Sequence, residues 1–140
     1  MAQQTPPPNT PYGTPISIDT ARQVMAAAEA EASRNNWGVA IAIVDSGGNL
    51  VMLHRLDNAQ LSAARIAEAK ARTAVEFRRP TKALEDAFAG GGVGLRVLTF
   101  GASVAEGGVP IAAGDRIIGV SGVASHQDAQ VAQAGADAVR

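Results

Sequence analysis

Apolar residues recur at helical spacing after Ser17. Ala21, Val24, Met25, Ala28 and Ala32 share one stripe and Asp19 stands in the first turn, so the pattern predicts a helix that ends at Asn35-Asn36, before Gly38. The period then changes to two. Val39, Ile41 and Ile43 alternate with Ala40, Ala42 and Val44, which predicts a strand apolar on both faces and therefore central in its sheet. Asp45-Ser46-Gly47-Gly48-Asn49 supplies residues that tolerate positive φ in a hairpin, and Leu50 to Arg55 returns as the antiparallel partner. From Ala59 to Phe77 the helical period resumes, with Ala63, Ile66, Ala67, Ala74 and Phe77 on one stripe and Arg65, Glu68, Arg72 and Glu76 opposite. Lys70 projects into the middle of the apolar stripe.

Pro80-Thr81 opens a short helix through about Phe88, closed by Gly90-Gly91-Gly92. Leu95 to Phe100 reads as a further helical turn or a strand, and Ala102 to Ala105 as a short edge strand. Val109 to Ala113, a turn at Gly114-Asp115, and Arg116 to Val123 form a second hairpin. His126 to Val139 is a terminal helix with Val131, Ala134 and Ala138 as its apolar face. Residues 1–15 carry Pro6, Pro7, Pro8, Pro11 and Pro15 and form an extended arm, disordered or laid on a neighbouring subunit, ahead of a single domain over residues 16–140. The order of elements predicts an α/β (α+β) domain: an antiparallel sheet of about five strands, covered by helices on both faces.

Composition narrows the function. The chain has 140 residues, 12 Lys+Arg against 13 Asp+Glu and a net charge of -1, room for one domain and no basic footprint for nucleic acid. The absence of cysteine excludes disulfides, iron–sulfur clusters and thiolate zinc sites. No apolar run reaches the ~20 residues needed to span a bilayer. The start lacks the basic and apolar regions of a leader peptide, so the expected location is cytoplasmic, or exported if a leader has been removed. Alanine supplies 29 of the 140 residues and aromatics 4%, so the core must close by near approach of backbones.

Lys70 is the sharpest chemical signal. An ammonium among alanines loses hydration and needs compensation, either from a core carboxylate or from an anionic guest in a cavity. Arg55 and Asp57 end the second strand and could reach the same cavity mouth, although Asp57 or Asn58 equally suits a helix N-cap. Glu106-Gly107-Gly108-Val109-Pro110-Ile111 joins a carboxylate to two glycines whose N–H groups can face an anion or oxyanion. Gly119-Val120-Ser121-Gly122 ends a strand with a hydroxyl, and Ser125 suits the N-cap of the last helix. His54 and His126 are the two histidines, neither at metal-pair spacing. Gly90 to Gly94 is not a P-loop, because no Gly-Lys-Ser/Thr follows.

Six segments, taken in order, resemble the GlcG/HbpS-like haem-binding family. They are Val44-Asp45-Ser46-Gly47-Gly48-Asn49-Leu50-Val51, Arg55-Leu56-Asp57-Asn58-Ala59, Lys70-Ala71-Arg72-Thr73-Ala74, Phe77-Arg78-Arg79-Pro80-Thr81, Glu106 to Ile111, and Gly119 to Gly122. The likeness runs from about Tyr12 to the C-terminus, although the strand from Arg116 to Gly122 is shorter than the family pattern. The resemblance implies a three-layer α/β/α, profilin-like domain with a central five-stranded antiparallel sheet, related to the C-terminal domain of PduO-type proteins. It also implies a homo-oligomer, often an octamer, with haem as candidate ligand; the iron would need a ligand, for which His54, His126, Tyr12 or an oxygen donor are all open. The leading expectation is a homo-oligomeric binding protein holding haem or another small anionic ligand in a pocket around Lys70, with Arg55, Asp57, Glu106, Gly107, Gly108, Pro110 and Ser121 around it. The alternative is a small catabolic enzyme of tautomerase, isomerase or hydrolase type, with Lys70 or Glu106 moving a proton on a small carboxylic acid.

Overall fold

The computed structural model describes residues 11–113, 116–121 and 125–139. Its elements are α1 (Ile18–Arg34), β1 (Ala40–Val44), β2 (Leu50–Arg55), α2 (Ala63–Phe77), α3 (Thr81–Ala89), a 3-10 helix (Gly92–Thr99), β3 (Gly108–Ala113), β4 (Arg116–Ser121) and α4 (Ser125–Asp137). Ser17 caps α1: its backbone is extended and its hydroxyl accepts the Thr20 N–H, which satisfies one of the helix's orphan donors. All five residues of the predicted α1 stripe are buried. In the first hairpin, Asp45 Oδ1 accepts the N–H groups of Gly47 and Asn49, and Gly48 adopts φ +82 as the turn requires.

The strands form one antiparallel sheet in the order β2-β1-β4-β3. β1 is interior and wholly buried, and its alternation sorts two cores. Val39, Ile41 and Ile43 pack with Val24, Met25, Ala28 and Ala32 of α1 and Val131, Ala132 and Ala136 of α4. Ala40, Ala42 and Val44 pack with Ala63, Ala67, Ala71 and Val75 of α2. The result is three layers, with α1 and α4 on one face and α2 on the other. The second core is built from small side chains, so α2 and the sheet come close enough for a Cβ at Gly108 to lie 2.4 Å from the Lys70 carbonyl oxygen. Pro110 sits in β3, an edge strand, where its missing N–H interrupts no second ladder.

Three sequence expectations change. The expected edge strand at Ala102 to Ala105 does not form: the chain turns at Gly101 (φ +68) and runs over α2, where the Ser103 N–H donates to Thr73 Oγ1 at 2.9 Å. The sheet therefore has four strands among the described residues, not five. α2 begins at Ala63 instead of Ala59, because Asn58 takes φ +66 and the Ala59 N–H closes a turn onto the Leu56 carbonyl. The buried face of α4 is centred on Asp128, Val131, Ala132 and Gly135, leaving Ala138 exposed. The two helices meet at Gly135, where a Cβ would stand 3.0 Å from the Val24 carbonyl oxygen. Leu95 to Thr99 belongs to the 3-10 helix, with Phe100 at its C-cap; the helix buries Val97 and exposes Val93, Leu95 and Leu98.

The described end of the proline-rich arm, residues 11–15, is tied to its own domain. The Tyr12 hydroxyl donates to the Glu76 carbonyl at 2.7 Å, the Arg78 guanidinium lies 5.3 Å from the Tyr12 ring centre, and Ser46 Oγ donates to the Gly13 carbonyl. The predicted turn at Gly114-Asp115, the strand extension to Val123 and arm residues 1–10 lie outside the described residues.

Thr81 joins α3 to β3 through a fully buried contact, accepting the Gly108 N–H on Oγ1 at 2.8 Å. Thr81→Val keeps the shape but strands that N–H, and should lower the unfolding free energy by about 1–3 kcal/mol in urea titrations, whereas Thr81→Ser should retain most of it.

Candidate functional site

Lys70 points inward, as its angular position on α2 requires, and meets a carboxylate. Its Nζ lies 2.7 Å from Asp128 Oδ2 of α4, with the two side chains 3% and 0% exposed. α2 and α4 belong to opposite layers, so the pair bridges them around the sheet end where β3 begins. Gly107 closes over it: a Cβ there would stand 2.7 Å from Asp128 Cβ and 3.1 Å from Lys70 Nζ, and its φ of +134 suits only glycine. Asp128 Oδ1 is buried without a hydrogen-bond partner. Burial pushes the Asp128 carboxyl up to about 6, against the opposing pull of Lys70 and with a smaller contribution from the negative charge of Glu106.

The expected anion pocket around Lys70 is thereby corrected. The compensating negative charge is internal, and Lys70 lines neither of the depressions described below. Arg55 and Asp57 are exposed at the β2 edge, three strand spacings, or about 14 Å, from β3, so they share no cavity with Gly108. The N-cap alternative for Asp57 or Asn58 also fails, since α2 starts at Ala63 behind Ser62. Asp57 lines a shallow depression of about 440 Å³ with Trp37, Leu56 and Asn58. The Gly108 N–H is consumed by Thr81, leaving no bare glycine donor pair for an oxyanion. Gly107, Gly108 and Pro110 are buried, and Ser121 pairs through its backbone with Ala42 and Gly108. His54 sits exposed on β2 with its ring against Glu29 of α1.

The larger cleft, about 790 Å³, runs along α4 beside this pair. His126, Ala129, Gln130, Gln133, Ala134 and Asp137 face it at helical spacing; α1 adds Glu31 and Arg34, α3 adds Lys82, Ala83 and Asp86, and Pro80 and Glu106 complete the lining. Of the sequence-derived candidates, Glu106 and His126 come together here. Lys82 Nζ lies 3.0 Å from Asp86, 3.4 Å from Glu85 and 3.9 Å from Glu106, contacts that raise its pKa, the hydrogen bond to Asp86 most. Glu31 is held below the ordinary carboxylate range chiefly by its hydrogen bond from Arg34, then by Gln130 of α4. Two cations and four carboxylates face the cleft, and Gln133 Oε1 is a buried acceptor without a partner. Among the described residues no three His, Asp or Glu side chains group as a metal site, and no helix is long and apolar enough to cross a membrane.

Sequence reasoning did not single out Asp128 as the partner of Lys70, nor Lys82, Arg34 and Gln133 as lining of a cleft. Asp128 carried a usable signal, because at about 100° per residue it falls on the same stripe as Val131, Ala132 and Gly135. The other three are polar residues on helix surfaces, with nothing in the pattern to separate them from solvated neighbours.

Fold and cleft together define the class: a three-layer α/β/α domain with a four-stranded antiparallel sheet and a polar cleft beside its last helix. The chain belongs to the HbpS-like family, whose model, described as haem degrading protein HbpS-like, matches residues 16–137. It is 43% identical over 108 residues to protein GlcG of Escherichia coli strain K12, covering 77% of this chain and 80% of that protein. Among solved structures, a double mutant of Streptomyces reticuli HbpS superposes with a TM-score of 0.83 at 26% identity, covering 100% of this chain and 97% of that one. A PduOC–haem complex superposes with a TM-score of 0.80 at 26% identity, covering 91% and 96%.

Removing one partner of the buried pair leaves the other charge stranded, so Lys70→Met should cost about 3 kcal/mol near neutral pH by chemical denaturation, and less in acid, where Asp128 takes up a proton. The sign for Asp128 itself follows from its raised pKa. The folded state binds this proton more tightly than the unfolded chain, so the residue's contribution is greatest below the unfolded value of 3.8 and is lost as pH rises through about 6. The stability of the wild type relative to Asp128→Asn should therefore fall across that window, as read from denaturation curves at a series of pH values.

Proposed function

We propose that this protein is a homo-oligomeric binding protein for haem, received in the cleft along α4. The observation that carries the reading is that cleft, in a chain of the HbpS-like family: its volume lies within the roughly 300–1,000 Å³ of small-molecule sites. The residues present fit the group. His126 offers an imidazole nitrogen for iron, Lys82 and Arg34, each already paired with neighbouring carboxylates, would exchange or share those partners with two propionates, and Pro80, Ala83, Ala129 and Ala134 supply apolar surface for the macrocycle. Bound haem would supply a redox-active, strongly absorbing iron centre; the chain's own part is to bind it, orient it and limit its contact with water. Lys70, Gly107, Gly108 and Pro110 support the wall beneath Glu106 instead of touching ligand. A haem complex is recorded for the PduOC neighbour, which supports the ligand class.

Exposed Val93, Leu95, Leu98 and Phe100 give the α3 side an apolar row suited to burial between copies, which supports the oligomeric part of the reading. In the enzymatic alternative only Glu106 retains access to a substrate, since Lys70 is buried and ion-paired.

Titration with haemin, followed at the Soret band, should give saturable binding with one haem per protomer, and His126→Ala should weaken it by about tenfold or more at unchanged oligomer size. A non-saturating spectrum overturns the reading; full affinity in His126→Ala moves the iron ligand elsewhere.

A further inference from the structure

We propose that the Lys70–Asp128 pair is a positioning device for the cleft, pinning the first turn of α4 and the Glu106–Gly107 corner to α2. The inference rests on the cleft being the ligand site. Three observations carry it. The pair is a polar link between opposite helical layers at the sheet end, 2.7 Å long and closed to solvent. Gly107 is seated on it with no space for a Cβ, so the corner that presents Glu106 takes its position from the two charged side chains. The turn of α4 that carries Asp128 also carries His126, Ala129 and Gln130 of the cleft wall.

The pair is poorly designed as a pure stabiliser. Asp128 Oδ1 is left without a partner, and a buried ion pair with an unsatisfied oxygen is commonly matched or exceeded by apolar residues of similar volume. Its value lies instead in direction: a charge-assisted hydrogen bond fixes two helices in one register, whereas a methyl contact allows sliding.

The test is the double variant Lys70→Met/Asp128→Leu, which removes both charges together. Its midpoint of unfolding should equal or exceed that of the wild type, while backbone amides of residues 105–108 and 126–130 exchange about tenfold faster and those of β1 do not change. Haemin affinity should fall severalfold at unchanged oligomer size. Unchanged exchange in both segments overturns the proposal, whatever haemin does. If the wild type fails to bind haemin, the proposed function falls, and the exchange measurement still decides the role of the pair. Should the double variant not fold, Gly107→Ala provides the second arm: it keeps both charges and displaces the corner they support, so the same local rise in exchange is expected, and its absence overturns the inference.

Discussion

The near contact between α2 and the sheet constrains everything else in this molecule. Ala63, Ala67 and Ala71 lie on Ala40 and Ala42, and the β3 backbone comes so close to α2 that no side chain fits at Gly108. Packing at that distance leaves no channel through which a lysine on the buried face could extend to water. Lys70 is on that face, so its charge had to be neutralised within the fold, and Asp128 is the group that does it.

This neutralisation separates the charged centre from the ligand site. The cleft lies on the outer side of α4, next to the pair but not including it, and its walls come from α1, α3 and the corner at Glu106. Carboxylates outnumber cations there, and most are already engaged: Glu31 with Arg34 and Gln130, Asp86 and Glu106 with Lys82. The cations Lys82 and Arg34 are thus held in place by acids, with their directions set before any ligand arrives. The same logic runs through Gly107, whose missing side chain lets the charged pair support the corner directly.

Much of the architecture was legible in the chain. Helical periods over Ala21–Ala32 and Ala63–Phe77, the two-faced strand at Val39–Val44 and the Asp-Ser-Gly-Gly-Asn turn each state a local preference that the fold obeys, because burial on one or both faces leaves its own period in the sequence. The segment Ala102–Ala105 misled because a short run of small residues suits an edge strand and an irregular crossing equally well; Thr73, a side chain distant in sequence, decided between them.

The inward turn of Lys70 was likewise a property of the sequence alone, since its angle on α2 follows from helical geometry. Which acid would meet it was not, because Asp128 stands in the opposite layer and reaches it only where the sheet ends. Nor could periodicity place Arg55 and Asp57 on the far edge of the sheet, or bring Lys82 to Glu106. Local spacing records which face of an element is buried; strand order and the seating of one layer on another set the distances between elements, and a binding site consists of those distances.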